Sequence, residues 1–363
     1  MTTNGRCKTT GLRHHSTGHE FEIATNEHMR IAVLSPIAWT TPPHHYGPWE
    51  LFASLLTEGL VANGHNVTLF ATADSRTGAH LVSTSPTGWS EDPGIEPKVA
   101  ECLHIASVFE RADDFDIIHN GFDFLPLTYS ELVETPVVTT IHGFSSDAIV
   151  AVYERYNGGS NFYVAISEAN RHPRLRYAAT IHHGINPAEF SFRSKAEDYL
   201  LFFGRIHPDK GTAEAIEVAR RTGRPLIIAG IIQDQNYFAE QIEPHLGGDQ
   251  VRYVGAVGGE ERINLLGGAA ALLHLINFDE PFGFSVVEAM ASGTPVVAFD
   301  RGSMRELIDD TSGVLAQDLD SAINAVELAV AMDRNGVRRS AVRRFSAAAM
   351  VANYEALYRS IVR

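Results

Sequence analysis

Two glutamates with seven residues between them form the pattern most capable of chemistry in this sequence. Glu280 is followed by Pro-Phe-Gly-Phe, and Glu288 lies inside the apolar run that comes next. Apolar residues recur every third position from 284 to 290, which predicts a helix. Glu280 then lies on the loop before this helix and Glu288 about two turns into it, roughly 10 Å apart at the ~1.5 Å rise of a helix.

The start of this helix is a candidate phosphate site. The amides of Gly283, Phe284 and Ser285 would be the unpaired donors of its first turn. The helix dipole favours a negative charge at the same place. Ionised carboxylates only accept hydrogen bonds, so the two glutamates suit hydroxyl groups on either side of that phosphate. A sugar on one side and a ribose on the other make a nucleotide sugar.

Arg205 and Lys210 form a second candidate phosphate contact. A strand predicted over residues 200–203 places Arg205 at its carboxyl end, and Lys210 follows just before Gly211 opens a helix. Arginine offers phosphate a forked contact and lysine a compact charge. The alternative is a solvated pair on an exposed loop. The scarcity of lysine, with only four in the chain, favours the phosphate contact.

Together these motifs resemble those of the retaining glycosyltransferases of family 4, also called group 1, from about residue 29 to 363. The segment Thr140-Ile-His142-Gly143 resembles the acceptor-domain histidine of that family. The resemblance implies a GT-B fold, with Glu280 on the donor sugar, Glu288 on the ribose and His142 near the reacting carbon. It also implies that the catalytic residues are His142, Arg205, Lys210 and Glu280. The implied donor contacts are Gly47, Arg205, Lys210, Tyr253, Val254, Phe282, Gly283, Phe284, Ser285 and Glu288.

Two loops depart from the family pattern. The family commonly has two adjacent glycines near the diphosphate, whereas here Gly47 stands alone and Pro48 has no amide hydrogen to donate. Contact from this loop to the phosphate is therefore reduced to Gly47. Ser303 stands in place of another second glycine but keeps its amide, and Glu306 is expected to cap the helix that follows.

The predicted acceptor contacts lie in the first half of the chain. Tyr46 and Trp49 offer aromatic faces to a sugar ring, although Trp49 could equally pack in a helix core. Asn120 and Asp123 follow a predicted strand and could bind acceptor hydroxyls. The predicted acceptor set is Tyr46, Trp49, Asn120, Asp123 and His142.

The alternation of strands and helices predicts two doubly wound parallel-sheet α/β domains facing a cleft. Strands are predicted over residues 30–36, 66–71, 115–119, 137–141 and 161–165, and then over 200–203, 226–229, 251–254, 272–275 and 296–299. The predicted divisions are a disordered extension over 1–28, an acceptor domain over 29–185, a donor domain over 186–345 and a final helix over 346–363. In the family, this helix crosses back to the first domain.

Composition excludes several classes of function. A net charge of −15 argues against nucleic-acid binding and weakens attraction to anionic membranes. Cys7 and Cys102 provide neither a disulfide framework nor metal-ligand spacing, which suits the cytoplasm. We find no signal peptide and no apolar run long enough to span a membrane. No Asp-x-Asp motif suggests a metal, and a homo-oligomer is left open.

These observations predict a retaining hexosyltransferase that uses a nucleotide-sugar co-substrate and needs no further cofactor. UDP-glucose and then GDP-mannose are the leading donors, and the acceptor is a hydroxyl of a soluble sugar or small molecule. Alternatives are a transferase of surface polysaccharide or lipid-linked glycan, a nucleotide-sugar epimerase, and a non-catalytic sugar-nucleotide-binding protein. A phosphorylase would need pyridoxal phosphate on a lysine, for which Lys210 is the only apt candidate.

Overall fold

The computed structural model describes residues 1–2, 28–44, 47–248 and 250–362 of the 363-residue chain. Most of the predicted N-terminal extension, residues 3–27, lies outside these ranges. So does the predicted acceptor residue Tyr46.

The first sheet is parallel and has seven strands in the order β3-β2-β1-β4-β5-β6-β7. Its strands are β1 Arg30–Leu34, β2 Asn66–Phe70, β3 His80–Val82, β4 Ile117–Asn120, β5 Val137–Ile141, β6 Asn161–Ala165 and β7 Ala179–Thr180. The α-helices between them are α1 Pro48–Ala62, α2 Pro97–Phe109, α3 Leu127–Ser130 and α4 Val150–Arg155.

The second sheet is also parallel and has six strands in the order β10-β9-β8-β11-β12-β13. Its strands are β8 Leu200–Phe203, β9 Leu226–Ala229, β10 Val251–Gly255, β11 Ala271–His274, β12 Val296–Phe299 and β13 Gly313–Ala316. The α-helices are α5 Thr212–Thr222, α6 Gln235–Tyr237, α7 Gly259–Gly268, α8 Phe284–Ala291, α9 Met304–Leu307, α10 Leu319–Val330, α11 Arg334–Phe345 and α12 Ala347–Val362.

Both sheets reverse their winding direction beside their first strand, between β1 and β4 and between β8 and β11. Ligands of such sheets bind outside the carboxyl ends of the strands at this switch point. The loops after these four strands, with the helices that they lead into, carry most of the predicted site residues, whereas His142 follows β5 and Tyr253 lies in β10. The predicted pair of doubly wound parallel sheets is confirmed.

Three edge strands escaped prediction from the sequence. β3 and β7 are only three and two residues long, too short for a readable alternation. We expected the strand at 296–299 to complete the second sheet, which is wrong, because β13 pairs with β12 beyond it. The strand expected over 115–119 begins two residues later, because Asp116 is held by the Arg30 amide and guanidinium.

The C-terminal helix returns to the first sheet, as predicted. Ile185 and Ser346 pair side by side where the chain passes between the two halves. α12 then packs on α1, where Gly59 leaves room for Val351; a Cβ at Gly59 would lie 2.4 Å from the Val351 side chain. The hydroxyls of Tyr354 and Tyr358 reach Thr140 and His119 at 2.7 and 2.6 Å. Within the described ranges, no helix is both long and apolar enough to cross a membrane.

Candidate active site

The start of α8 lies at the switch point of the second sheet. Gly283 caps the helix with a left-handed φ of 99°, which a residue with a side chain would adopt only with strain. The amides of Val286 and Val287 turn back to the Gly283 carbonyl. Those of Phe284 and Ser285 have no hydrogen-bond partner among the described residues. Such amides can bind an anion, and the phosphate site expected here stays a prediction.

Lys210 and Glu280 form an ion pair close to this helix end. The Lys210 ammonium donates a 2.7 Å hydrogen bond to Glu280 Oε2, and each side chain is 16% exposed. The ammonium also lies 4.5 Å from the centre of the Phe278 ring, a cation–π contact. His274 Nε2 lies 4.0 Å from the same carboxylate oxygen. Burial lowers the pKa of His274 to about 4, so its ring is neutral at pH 7.

Gly211 allows the loop that carries Lys210 to approach the neighbouring strand end. Its φ is 75°, and a Cβ there would lie 1.8 Å from the Leu275 carbonyl oxygen. Since that atom is backbone, no larger residue fits without moving the chain. The loops after β8 and β11 therefore meet, which brings Lys210 to Glu280 although 69 residues separate them in sequence.

Arg205 lies on the same loop but is exposed. Its guanidinium donates a 2.8 Å hydrogen bond to Gln233 Oε1, on the loop after β9. The two predicted phosphate contacts thus differ, because Lys210 is held in a partly buried pair and Arg205 faces solvent. Contact of Arg205 with a diphosphate stays a prediction.

Glu288 lies inside α8 and is buried, so it is not a solvated surface residue. Burial raises the pKa of its carboxyl, and the paired Arg262 guanidinium on α7 partly offsets the shift. Arg262 also lies over the Phe190 ring at 5.5 Å. The carboxylate predicted to hold ribose hydroxyls is therefore occupied by Arg262 in this structure, and the ribose contact stays a prediction.

Four rings in nearly parallel planes connect the two halves of the molecule. Trp49 of α1 stacks on His142, His142 on His183, and His183 on Phe284 of α8. Each step is 5.1 Å between ring centres, and the interplanar angles are 19°, 14° and 16°. The predicted catalytic histidine is thus linked to α8 through His183, which the sequence did not single out. We call this the four-ring stack.

Hydrogen bonds assign the tautomers within the stack. His142 Nε2 lies 3.3 Å from the Gly121 carbonyl oxygen, which can only accept, so Nε2 carries the proton. His142 Nδ1 then accepts from His183 Nε2 at 3.3 Å. Burial lowers the pKa of His142 to about 3 and that of His183 well below its usual value, so both rings are neutral at pH 7.

Glu306 binds across the cleft, which corrects the expectation that it caps its own helix. Its carboxylate accepts the amides of Glu168 and Ala169 at 2.8 and 2.9 Å, and it pairs with His182 Nε2 at 3.0 Å. α9 has only four residues, so a side chain on it reaches the chain that follows β6. The Ser167 hydroxyl adds a 2.7 Å bond to the Pro281 carbonyl.

The predicted acceptor residues have different surroundings. Trp49 and Asp123 line one cavity of about 370 Å³ beside β1 and β4, together with Gly47, which was predicted as a donor contact. Asn120 is fully buried; its amide donates to the Asp123 carbonyl at 2.8 Å and accepts from the Phe122 amide at 3.0 Å. Asn120 therefore shapes the loop that carries Asp123, and its contact with an acceptor stays a prediction.

The remaining donor residues lie around the second sheet. The Tyr253 hydroxyl donates to the Gly230 carbonyl at 2.9 Å, and Val254 packs against the apolar core. Phe282 is buried and contacts the rings of His183 and Phe284. Contact of Tyr253 and Val254 with a base stays a prediction.

Sequence reasoning missed the other side chains of the first-sheet cavity. Trp39, Trp89, Glu50 and Glu101 line it together with the residues predicted there. One signal was present, because Trp39, Trp49 and Trp89 are the only tryptophans of the chain. Trp89 lies on the loop after β3, and nothing in the local sequence reveals that this loop folds back to the cavity.

Comparisons with known proteins point to one family. The family model described as Glycosyl transferases group 1 matches residues 188–341, which include the Lys210–Glu280 pair and Glu288. Glycogen synthase of Mycobacterium tuberculosis is 26% identical over 348 residues, covering 79% of this chain and 82% of that protein. Phosphatidyl-myo-inositol mannosyltransferase of Mycobacterium leprae is 25% identical over 376 residues, covering 92% and 97%. The crystal structure of AviGT4, a glycosyltransferase involved in avilamycin A biosynthesis, aligns with a TM-score of 0.70 and 26% identity, covering 92% and 98%.

Proposed function

The chain belongs to the group 1 glycosyltransferases and has their GT-B fold, and on this premise we propose that it is a retaining hexosyltransferase. It moves a hexosyl group from a nucleotide sugar to a hydroxyl group of a soluble sugar or small molecule. UDP-glucose is the first candidate donor and GDP-mannose the second. The observation that carries the proposal is the Lys210–Glu280 pair beside the open amides of α8, with His142 across the cleft.

The donor diphosphate would bind at the start of α8. The amides of Phe284 and Ser285 and the Lys210 ammonium would stabilise the negative charge of the diphosphate there. As phosphate oxygens take hydrogen bonds from Lys210, Glu280 is released to accept hydrogen bonds from the sugar hydroxyls. The pair thus keeps both charges in place before the donor arrives.

These fixed charges favour the departure of the diphosphate. Negative charge grows on the leaving oxygen in the transition state, where preorganised donors help more than in the ground state. Arg205 adds a forked contact once it leaves Gln233, and Glu288 holds the ribose once Arg262 gives way. No divalent ion is required in this scheme.

Transfer with retention needs no enzyme base near the acceptor. The leaving phosphate lies on the same face as the incoming hydroxyl and accepts its proton. The neutral ring of His142 contributes its Nε2 proton, which makes only a 3.3 Å bond to Gly121 and can turn to a sugar oxygen. Its charge stays zero, which suits a centre where positive charge develops on the sugar.

An acceptor on a lipid-linked or surface glycan is the second candidate. The 25% identity to a phosphatidyl-myo-inositol mannosyltransferase favours it. A nucleotide-sugar epimerase would convert the donor without an acceptor, and a binding protein would release no nucleoside diphosphate.

A thermal-shift panel of nucleotide sugars tests the proposal first. The true donor raises the melting temperature, since a ligand that prefers the folded chain stabilises it. The donor so identified should then release nucleoside diphosphate when an acceptor is added, and NMR should show the anomeric configuration retained in the product. Inversion of that configuration, or no shift with any nucleotide sugar, would contradict the proposal.

A further inference from the structure

The cavity beside β1 and β4 gathers every tryptophan of the chain. Trp39 follows β1, Trp49 lies in the first turn of α1, and Trp89 belongs to the loop after β3. Three partly buried indoles around one space of about 370 Å³ provide flat apolar faces for a ring-shaped ligand. We call this space the tryptophan cavity.

Three carboxylates line the same cavity. Glu50 is 3% exposed and accepts a 3.2 Å hydrogen bond from the Trp39 amide. Burial raises the pKa values of Glu50, Glu101 and Asp123, that of Glu50 to about 7. The charge of Asp123 further raises the pKa of Glu101, and both side chains line the cavity. No lysine, arginine or histidine is found among the described lining residues.

The indole faces and the carboxylates together favour a ligand that is positively charged as well as ring-shaped. Carboxylates that repel one another in a partly dry cavity are relieved by a positive group placed between them. Indole faces attract the same positive group through their quadrupole. A phosphate or a carboxylate on the ligand would meet negative groups and no cation from the described lining.

The cavity adjoins the proposed reaction centre. Trp49 lines it and also stacks on His142 at 5.1 Å. Phe122 and Asp123, on its wall, directly follow Gly121, whose carbonyl holds His142. A ring bound among the tryptophans is therefore one side chain away from the histidine predicted to touch the transferred sugar.

We propose that the tryptophan cavity binds an acceptor that carries a protonated amine beside its hydroxyl groups, as an amino sugar or aminocyclitol does. The assignment of the bound molecule as an acceptor rests on the proposed function; the binding preference does not. The same charges discriminate against phosphorylated acceptors.

Intrinsic fluorescence tests the preference directly, because all the tryptophans of the chain line the cavity. Glucosamine, N-acetylglucosamine, glucose and glucose 6-phosphate are titrated without donor at pH 7.5. We expect glucosamine to bind at least about tenfold more tightly than the two neutral sugars, since it gains both ion pairing and cation–π contact. Glucose 6-phosphate should bind most weakly. Equal affinity for glucosamine and N-acetylglucosamine would overturn the proposal.

Variants of the lining carboxylates test whether these groups cause the preference for the amine. Asp123→Asn and Glu101→Gln should each reduce the preference for glucosamine over N-acetylglucosamine, whereas Glu134→Gln, on the exposed surface of the same domain, should leave it unchanged. Melting temperatures of all variants show whether they fold. A preference that survives in folded Asp123→Asn and Glu101→Gln would also overturn it.

The proposed function can fail separately. Glucosamine binding with no release of nucleoside diphosphate from any nucleotide sugar would support the ligand assigned to the cavity and contradict the proposed transferase function. Release of nucleoside diphosphate with neutral sugars alone would support the transferase function and contradict the proposed preference for an amine.

Discussion

His142 and His183 have their rings in nearly parallel planes, 14° apart, with ring centres 5.1 Å apart and a 3.3 Å hydrogen bond between His142 Nδ1 and His183 Nε2. His183 therefore donates to the ring nitrogen of His142 that the Gly121 carbonyl leaves unprotonated, and it holds that ring in place while it stacks on Phe284 of α8. It is a positioning residue, since it acts on the reaction only through His142.

Replacing His183 separates its two contributions. His183→Phe keeps a ring in the stack but removes the donor to His142, and we expect kcat to fall about tenfold, the worth of one hydrogen bond of about 1.4 kcal/mol. His183→Gln carries an amide donor near the Nε2 position and should retain more activity. Donor affinity, measured by calorimetry, should change little in both. An unaltered kcat in His183→Phe would remove the positioning role.

Glu306 joins the two halves of the chain, and its loss should loosen them. The carboxylate is half-buried and accepts two amides and His182. Burial raises its pKa, but these hydrogen bonds outweigh burial and leave the pKa below its usual value. Glu306→Ala should lower the free energy of unfolding by about 2 kcal/mol, the cost of losing charge-assisted hydrogen bonds.

Urea denaturation measures that loss, and small-angle scattering reports the spacing of the domains. Glu134→Ala is the matched control, because Glu134 is exposed. A Glu306→Ala protein with the stability and scattering profile of the control would show that the contact across the cleft contributes nothing.

Glu50 should make stability depend on pH. Burial raises its pKa to about 7, so its contribution is favourable below the unfolded value of about 4.5 and is lost as pH rises towards 7. The side chain introduced by Glu50→Gln cannot ionise. The free energy of unfolding of this variant should therefore exceed that of wild type by up to about 3 kcal/mol at pH 8 and should equal it at pH 4. Melting curves of both proteins across this range provide the measurement.

The comparison must be made at each pH, because buried histidines act in the opposite direction. The pKa of His142 is lowered to about 3, so its contribution to stability is lost as pH falls from about 6.5. The contribution of His142 to stability is the same in Glu50→Gln and in wild type, so it cancels when the two proteins are compared at one pH. A difference that does not grow between pH 4 and pH 8 would contradict a buried, uncompensated carboxyl at Glu50.

Local patterns predicted the helix α8 and the loop before it well. The glycine, the apolar spacing and the two glutamates around α8 lie within a dozen residues, so the helix and its open amides could be predicted from the sequence alone. Gly64, which follows α1, likewise has the left-handed φ of 89° that glycine after a helix commonly adopts. In both segments the physics that fixes the structure acts between near neighbours.

Contacts between distant segments could not be predicted in this way. The tryptophan cavity combines residues after β1, on α1, on α2 and after β3, and no local periodicity records that these segments meet. Glu306 was assigned to its own helix because capping is a local rule, whereas its partners lie more than 120 residues earlier. His183 carries no motif, and only the fold brings it between His142 and Phe284.

The rate of nucleoside diphosphate release tests whether the Lys210–Glu280 pair binds the donor as proposed. Lys210→Ala and Glu280→Ala should each reduce release from the identified donor at least about a hundredfold, a loss of about 3 kcal/mol in the transition state, while the fold is kept. Lys195→Ala, an exposed lysine of the same half of the chain, should release at the wild-type rate. Wild-type release by folded Lys210→Ala would contradict the account.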